Sequence, residues 1–191
     1  FNANACDYAA QSGRLTHGHP TGYLAAGLFA DILQRVVDLQ DSLEHAVTQS
    51  LAKYGQLPGM EETRDVIERV LFFFYEGYKP TPQSIADLGG GFVAEQALAI
   101  GLWCALTARS LEEGVIAAVN HSGNSVSTGL IAGHLLGAQH GAASIPALWL
   151  ERLELREVIV KVSEDLERMP RDYCGIGGAF DQLIEQAYPG S

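Results

Sequence analysis

One segment sets the terms for everything around it. Over residues 92–108, Ala94, Ala97, Leu98, Ile100, Leu102, Trp103 and Leu106 put apolar side chains on nearly every side of a helical wheel. A helix without a polar face cannot lie on a surface, so other elements must enclose it. The spacing therefore predicts a central helix and asks the rest of the chain for elements with one apolar face each.

The rest of the chain supplies them at helical period. Leu24, Leu28, Ile32 and Val36 recur every four residues within 22–39 and share one face. Asp41 followed by Glu44 has capping-box spacing and predicts a second helix running to about residue 54. Val66, Ile67, Val70, Leu71 and Phe74 form a broad stripe on a third, closed near Gly77 and Pro80. Thr81-Pro82 reads as a cap with proline at the first helical position. Gly89-Gly90-Gly91 then breaks the chain ahead of the central helix. Ser110 and Glu113 repeat the capping-box spacing, and Gly129, Ala132, Gly133, Gly137 and Ala138 form a small-residue helix suited to close packing. Leu155, Ile159, Val162 and Leu166 mark a later helix, and 180–187 a last one. Strand-like alternation is scarce, and its best instance, 157–162, also fits a helical stripe. The expectation is one compact all-α domain over 1–191.

Enclosing a helix takes apolar mass, and 191 residues that are 47% hydrophobic and 18% charged provide it. Twenty-three acidic against twelve basic residues give a net charge of -11, so no broad attraction for phosphate backbones exists and nucleic acid is not an expected partner. Cys6, Cys104 and Cys174 are odd in number and form no CxxC pair, which points to a reducing, cytoplasmic setting. Each reads as a small buried apolar residue, not a nucleophile. No apolar run reaches the roughly 20 residues that span a bilayer, and no basic-then-apolar leader is present. No membrane role is expected. The chain opens at Phe1 without a methionine, so a processed, truncated or split polypeptide is expected.

The densest cluster of small and polar residues in apolar surroundings is Asn120-His121-Ser122-Gly123-Asn124-Ser125-Val126-Ser127-Thr128-Gly129. It follows one helix and opens another, where free backbone N–H groups suit a phosphate, a carboxylate or a capping hydroxyl. On these residues alone two readings stay open: an anion cradle, or an elaborate N-cap built by Ser125, Ser127 or Thr128. Similarly, His17 and His19 before Pro20 are either a turn that caps a helix or a ligand contact. The triple glycine lacks the following Lys-Ser/Thr and the preceding strand of a phosphate loop. His121, His134 and His140 do not share a helix face at ligand spacing. There is no GxSxG elbow, and the aromatic run from Phe72 to Tyr78 reads as core packing.

The stretch 120–149, NHSGNSVSTGLIAGHLLGAQHGAASIPALW, resembles the last signature of the ADP-ribosylglycohydrolase family. There Asp-x-Asp-Ser/Thr precedes a glycine, a small-residue helix, another glycine, and Ile-Pro before Trp. Other pieces agree in order: Leu15-Thr16-His17-Gly18-His19-Pro20, then the run from Leu88 to Leu98 that reads LGGGFVAEQAL, and the terminal Tyr188-Pro189-Gly190. The resemblance spans essentially the whole chain and implies a compact orthogonal helical bundle, of which this chain holds the carboxy-terminal half. It also implies two magnesium ions that position ADP-ribose while its bond to a protein side chain or to an ADP-ribose polymer is hydrolysed. Hard divalent ions want carboxylate and hydroxyl oxygens for such work. By the same resemblance His17 is a substrate contact, and the metal-ligand positions are Asn124, Val126 and Ser127. An acid is also frequent in the family at Glu95, although packing of the helix face accounts for it equally.

Two departures limit what carries over. Asn124 offers a neutral carbonyl oxygen and Ser127 a hydroxyl, but Val126 offers nothing, so two carboxylate charges are gone and metal affinity should fall severely. The family's amino-terminal half, with its Gly-Asp-rich segment and Thr-Asp-Asp triplet, has no counterpart, and Glu61-Glu62-Thr63, the nearest match, falls on an unrelated helix. Catalytic residues stay unassigned. Three hypotheses follow: a hydrolase acting only with a partner that supplies the missing half, a non-catalytic ADP-ribose-binding pseudoenzyme, or a helical scaffold. The expected partners are ADP-ribose or an ADP-ribosylated protein, together with a second copy or second chain covering an apolar face.

Overall fold

The computed structural model describes residues 4–172 together with Gln186 and Tyr188. The described residues are all-α, with no strand among them. The chain divides into two units, Phe1–Ile145 and Pro146–Ser191. The first holds α1 (Ala5–Arg14), α2 (Pro20–Asp38), α3 (Leu43–Tyr54), α4 (Glu61–Tyr75), α5 (Pro82–Ala86), α6 (Ala94–Thr107), α7 (Leu111–Val119), α8 (Ser125–His140) and a 3-10 turn, Ala142–Ser144. The second holds α9 (Ala147–Glu151) and the amphipathic α10 (Arg156–Asp172), on which Lys161 pairs with Asp165 at 2.8 Å. Cys174, the helix expected at 180–187 apart from Gln186 and, Tyr188 apart, the terminal signature lie outside the described residues.

The central helix is α6. Every residue from Ala97 to Ala105 is buried, and α2, α4, α7 and α8 pack around it. Leu28, Ile32, Ile67, Ile100 and Leu135 are fully buried among these helices. Truncating any one of them to alanine costs about 2–5 kcal/mol, because transfer and cavity terms add. Close approach comes partly from the small-residue helix, since a Cβ at Gly129 would strike Val119 of α7, and partly from glycine on the facing helix, since one at Gly101 would strike Ile131. Gly137 faces open space, so the small-residue stripe is used at one end only.

The aromatic run ending α4 is not core throughout. Phe73 stacks on Trp103 at 4.9 Å, whereas Phe72, Tyr75 and Tyr78 are more than half exposed. Four consecutive aromatic residues encircle a helical turn, and only those on the side of Ile67 and Val70 can reach the core.

The expected caps are found with two changes. Thr81 and Ser84 close a full capping box, with Pro82 at the first helical position. Ser110 accepts from the Glu113 amide at 3.1 Å, but the Glu113 carboxylate accepts from the Arg109 backbone N–H and guanidinium instead of from Ser110. For α3 the cap is Ser42, which accepts from the His45 amide at 3.2 Å, not Asp41. Asp41 turns instead toward Arg35, at 3.7 Å.

A buried carboxylate ties α2 to α3. Asp31 Oδ2 accepts from Arg35 Nε at 2.8 Å and from the Ser50 hydroxyl at 2.7 Å, and Oδ1 accepts from the Tyr54 hydroxyl at 3.2 Å. Lys53 Nζ lies 3.7 Å from Oδ1. Desolvation pushes this carboxyl up, but the hydrogen bonds from Ser50 and Arg35 and the charges of Arg35 and Lys53 together outweigh it and hold it below its ordinary value. Nearby, Cys6 is pushed up to about 11 by burial first and by the Asp7 and Asp31 charges second. Burial alone takes Cys104 to about 12. Both thiols stay protonated at neutral pH, as suits buried packing residues.

Candidate functional site

A cavity of about 710 Å³ opens within the first unit where the N-termini of four helices converge. The loop before α2 and its first turn supply Thr16, His17, His19 and Thr21; the first turn of α4 supplies Glu62; the start of α6 supplies Gly91, Phe92, Val93 and Glu95; the start of α8 supplies Asn124 and Ser127. Each helix N-terminus carries roughly half a positive elementary charge together with unbonded amides, so their convergence makes a place for an anion.

The ends are finished differently. His19 caps α2, its Nδ1 accepting from the Thr21 amide at 3.4 Å, and Asn124 caps α8, its Oδ1 accepting from the Ser127 amide at 3.2 Å. No side chain caps α4 or α6. The cap of α8 is thus Asn124, and the expected Ser125, Ser127 and Thr128 do not serve. Thr128 is fully buried and holds the loop from beneath.

That loop is built as a clamp. His121 Nδ1 accepts from the Gly123 amide at 3.0 Å, so in the neutral ring Nε2 carries the hydrogen and donates to Thr128 Oγ1 at 2.9 Å. The Thr128 hydroxyl hydrogen is then directed to the Ala118 carbonyl at 2.7 Å. His121 is a structural link, a role its position in the sequence does not reveal.

The glycine run forms the adjoining wall. Gly89, Gly90 and Gly91 have φ of +103°, +79° and +79°, a region closed to most side chains. The Gly90 carbonyl accepts from the Asn124 amide at 2.8 Å, and a Cβ at Gly123 would strike that same carbonyl. A Cβ at Gly91 would meet Thr128 at 2.8 Å. The expected break before the central helix is therefore also what lets two loops touch.

His17 stands on the rim, exposed, with Nδ1 2.8 Å from the Thr16 hydroxyl and its side chain packed over Gly22. His17, Asn124 and Ser127 thus line one cavity. Val126 does not line it and is 82% exposed. Glu62 does, although the sequence placed it on an unrelated helix. A larger hollow of about 960 Å³ lies along α10 within the second unit, but its walls hold no motif residue.

The described residues thus form an all-α fold with one cavity at converging helix N-termini. Comparison with known proteins then fixes the family: the ADP-ribosylglycohydrolase family model matches residues 2–174, and the chain belongs to that family. It is 22% identical over 187 residues to the ADP-ribosylhydrolase ARH3 of Bos taurus, an alignment covering 85% of this chain and 51% of the relative. The chain thus spans about half the length of that curated relative. No solved structure matches it.

The family's metal ions can be tested against the donors present. At the positions the motif resemblance points to, this chain offers an amide oxygen already engaged as the α8 cap, a serine hydroxyl, and a valine facing solvent. Among the described residues no group of three or more His, Cys, Asp and Glu side chains stands ready to hold an ion. Two divalent ions call for several charged oxygens, and these residues alone do not fit the pair.

Proposed function

We propose that the cavity is an ADP-ribose site and that this chain by itself holds the ligand without hydrolysing it. The observation that carries the reading is the gathering of His17, Asn124 and Ser127 around one cavity with four helix N-termini at its walls. A pyrophosphate suits those helix ends, and hydroxyl-bearing sugar suits the serine, histidine and carboxylate side chains beside them. His17, exposed on the rim, is the ligand contact. Hydrolysis of ADP-ribose from a modified protein side chain or polymer is the reaction implied by the family. It is impaired here because Val126 and Asn124 stand where carboxylates would hold magnesium. Completing that reaction takes a second chain or a further segment that brings acids to this face. Cys6 and Cys104, both free, fit a cytoplasmic protein that meets ADP-ribosylated proteins there.

A scaffold role with no ligand is the second reading, favoured by the single observation that Asn124 Oδ1 is engaged as a helix cap. Calorimetric titration with ADP-ribose, with and without magnesium, separates the two. Binding indifferent to magnesium is the expected result. Binding that strengthens with magnesium would show a working metal pocket and overturn the impairment, and absence of binding would leave the scaffold.

A further inference from the structure

Helix α8 shares with α6 the lack of a charged side, yet only its inner side is enclosed. From Ser125 to His140 it carries no Asp, Glu, Lys or Arg. Thr128, Ala132, Leu135 and Leu136 are buried on the inner side, whereas Val126 and Leu130 on the outer side are 82% and 61% exposed. The solvent side of a helix ordinarily carries charged and polar residues. This one presents Val126, Leu130, Gly133 and Gly137, and Val119 of α7, which lies against Gly129, borders them.

The order of residues along that side identifies what covers it. Val126, Leu130, Gly133 and Gly137 follow one another at intervals of four, three and four residues, the spacing of a helix-packing seam. Two projecting side chains stand at one end and two vacant places at the other. A Cβ at Gly137 would meet nothing within 4 Å, and one at Gly133 only Val115, at 3.9 Å. The order is symmetrical about the point between Ile131 and Ala132. A second α8 crossing there antiparallel sets Val126 opposite Gly137 of the second copy and Leu130 opposite its Gly133, and the two-fold axis repeats both contacts. Charge agrees with this partner. The chain carries a net charge of -11, so two copies repel each other over most of their surfaces, but no Asp, Glu, Lys or Arg stands between Glu113 and Glu151. The outer side of α8 is a place where two such copies meet without bringing like charges together.

We propose that the outer side of α8 is a dimerisation surface whose occupant is the α8 of a second copy of this chain, packed antiparallel with Val126 and Leu130 seated over Gly137 and Gly133. One helix pair with its flank is a small interface, so the dimer forms and dissociates with concentration. The pairing sets the far end of one α8 beside the start of the other, next to the cavity that Asn124 and Ser127 line.

Sedimentation velocity over a range of concentrations tests this on the wild type, on Gly137→Val and on the exchange variant Val126→Gly with Gly137→Val, with thermal melts of each. The wild type should pass from monomer to dimer, and no further, as concentration rises. Gly137→Val fills the vacant place without touching its own chain, so it should melt no lower than wild type yet dimerise at least about tenfold more weakly. The exchange variant again sets a large residue opposite a small one and should recover most of the dimer. A Gly137→Val protein that dimerises as tightly as wild type, or more tightly, shows a merely sticky apolar face and overturns the pairing, as does an exchange variant no better than the single one. A wild type that stays monomeric throughout, or that grows into open-ended assemblies, also overturns it. So does a monomeric wild type that binds an added amino-terminal half of the family through this face, which would give the face to that half.

Discussion

Replacing Asp31 by alanine should cost about 3 kcal/mol at neutral pH, most of it from a few identifiable bonds. Ser50 is completely buried and its hydroxyl loses its acceptor, which alone is worth about 1–3 kcal/mol. Tyr54 loses little, because its hydroxyl also reaches Asn4 Oδ1 at 2.7 Å. Arg35 keeps Asp41 at 3.7 Å and some solvent, so its charge is not stranded. Lys53 is half exposed, and its attraction to Asp31 is screened and adds little. The sum is a large share of the roughly 5–15 kcal/mol that holds a domain folded. Urea unfolding followed by circular dichroism reads it directly, as a drop in midpoint of about 1–2 M.

The pH dependence supplies a second reading of the same bond set. The Asp31 carboxyl is held below its ordinary 3.8 in the folded protein. Its ionised form therefore stabilises the fold above that value, and the contribution fades as pH falls through the folded value below 3.8. The stability gap between wild type and Asp31→Ala should stand at full size at neutral pH and narrow in the acid range. A gap below about 1 kcal/mol at neutral pH, against the loss expected for buried polar bonds, would refute the reasoning, as would a gap that acid leaves unchanged.

Gly123→Ala puts a methyl group into the Gly90 carbonyl, a backbone atom that cannot swing aside, and should cost about 2 kcal/mol or more by strain and by separating the two loops. Urea unfolding measures that loss, and ADP-ribose titration should show weakened binding in the variant. Asn124→Asp with Val126→Asp should keep the α8 cap, since an aspartate accepts from the Ser127 amide as the asparagine does, and should raise magnesium affinity by isothermal titration. If the pair gains no magnesium affinity even when an amino-terminal half of the family is supplied, the placement of the metal motif is wrong.

The sequence reveals best what rests on period and weakest what rests on partners distant in the chain. The central position of α6 is legible because a helix apolar on all sides has only one place to go. Capping is legible at Thr81, where one cap residue stands with its proline, and ambiguous at Asp41 and Ser42, where two adjacent residues could both serve. Helix α1 escapes notice because its one buried side chain is Cys6, too little to mark an apolar stripe. Asp31 could have been found: it falls on the buried face with Leu28 and Ile32, where an acid must have partners. Glu95 lines the cavity, and its spacing on the helix alone gives no sign of that. Glu62 could not be tied to the site at all, because α4 reaches the cavity by tertiary packing that no local pattern records.

The contact between the triple-glycine loop and the loop ahead of α8 makes the cavity wall a single unit of inheritance. Neither loop can be lengthened, exchanged or grafted alone, because the Gly90 carbonyl and the Asn124 amide have to arrive together, with no side chain between them at Gly123. Divergence in ligand preference within this scaffold is thereby pushed onto side chains whose backbone is already held, such as Phe92, Val93 and Ser127. A protein engineer changing what the cavity accepts would do well to vary those positions and leave the seam between the loops untouched.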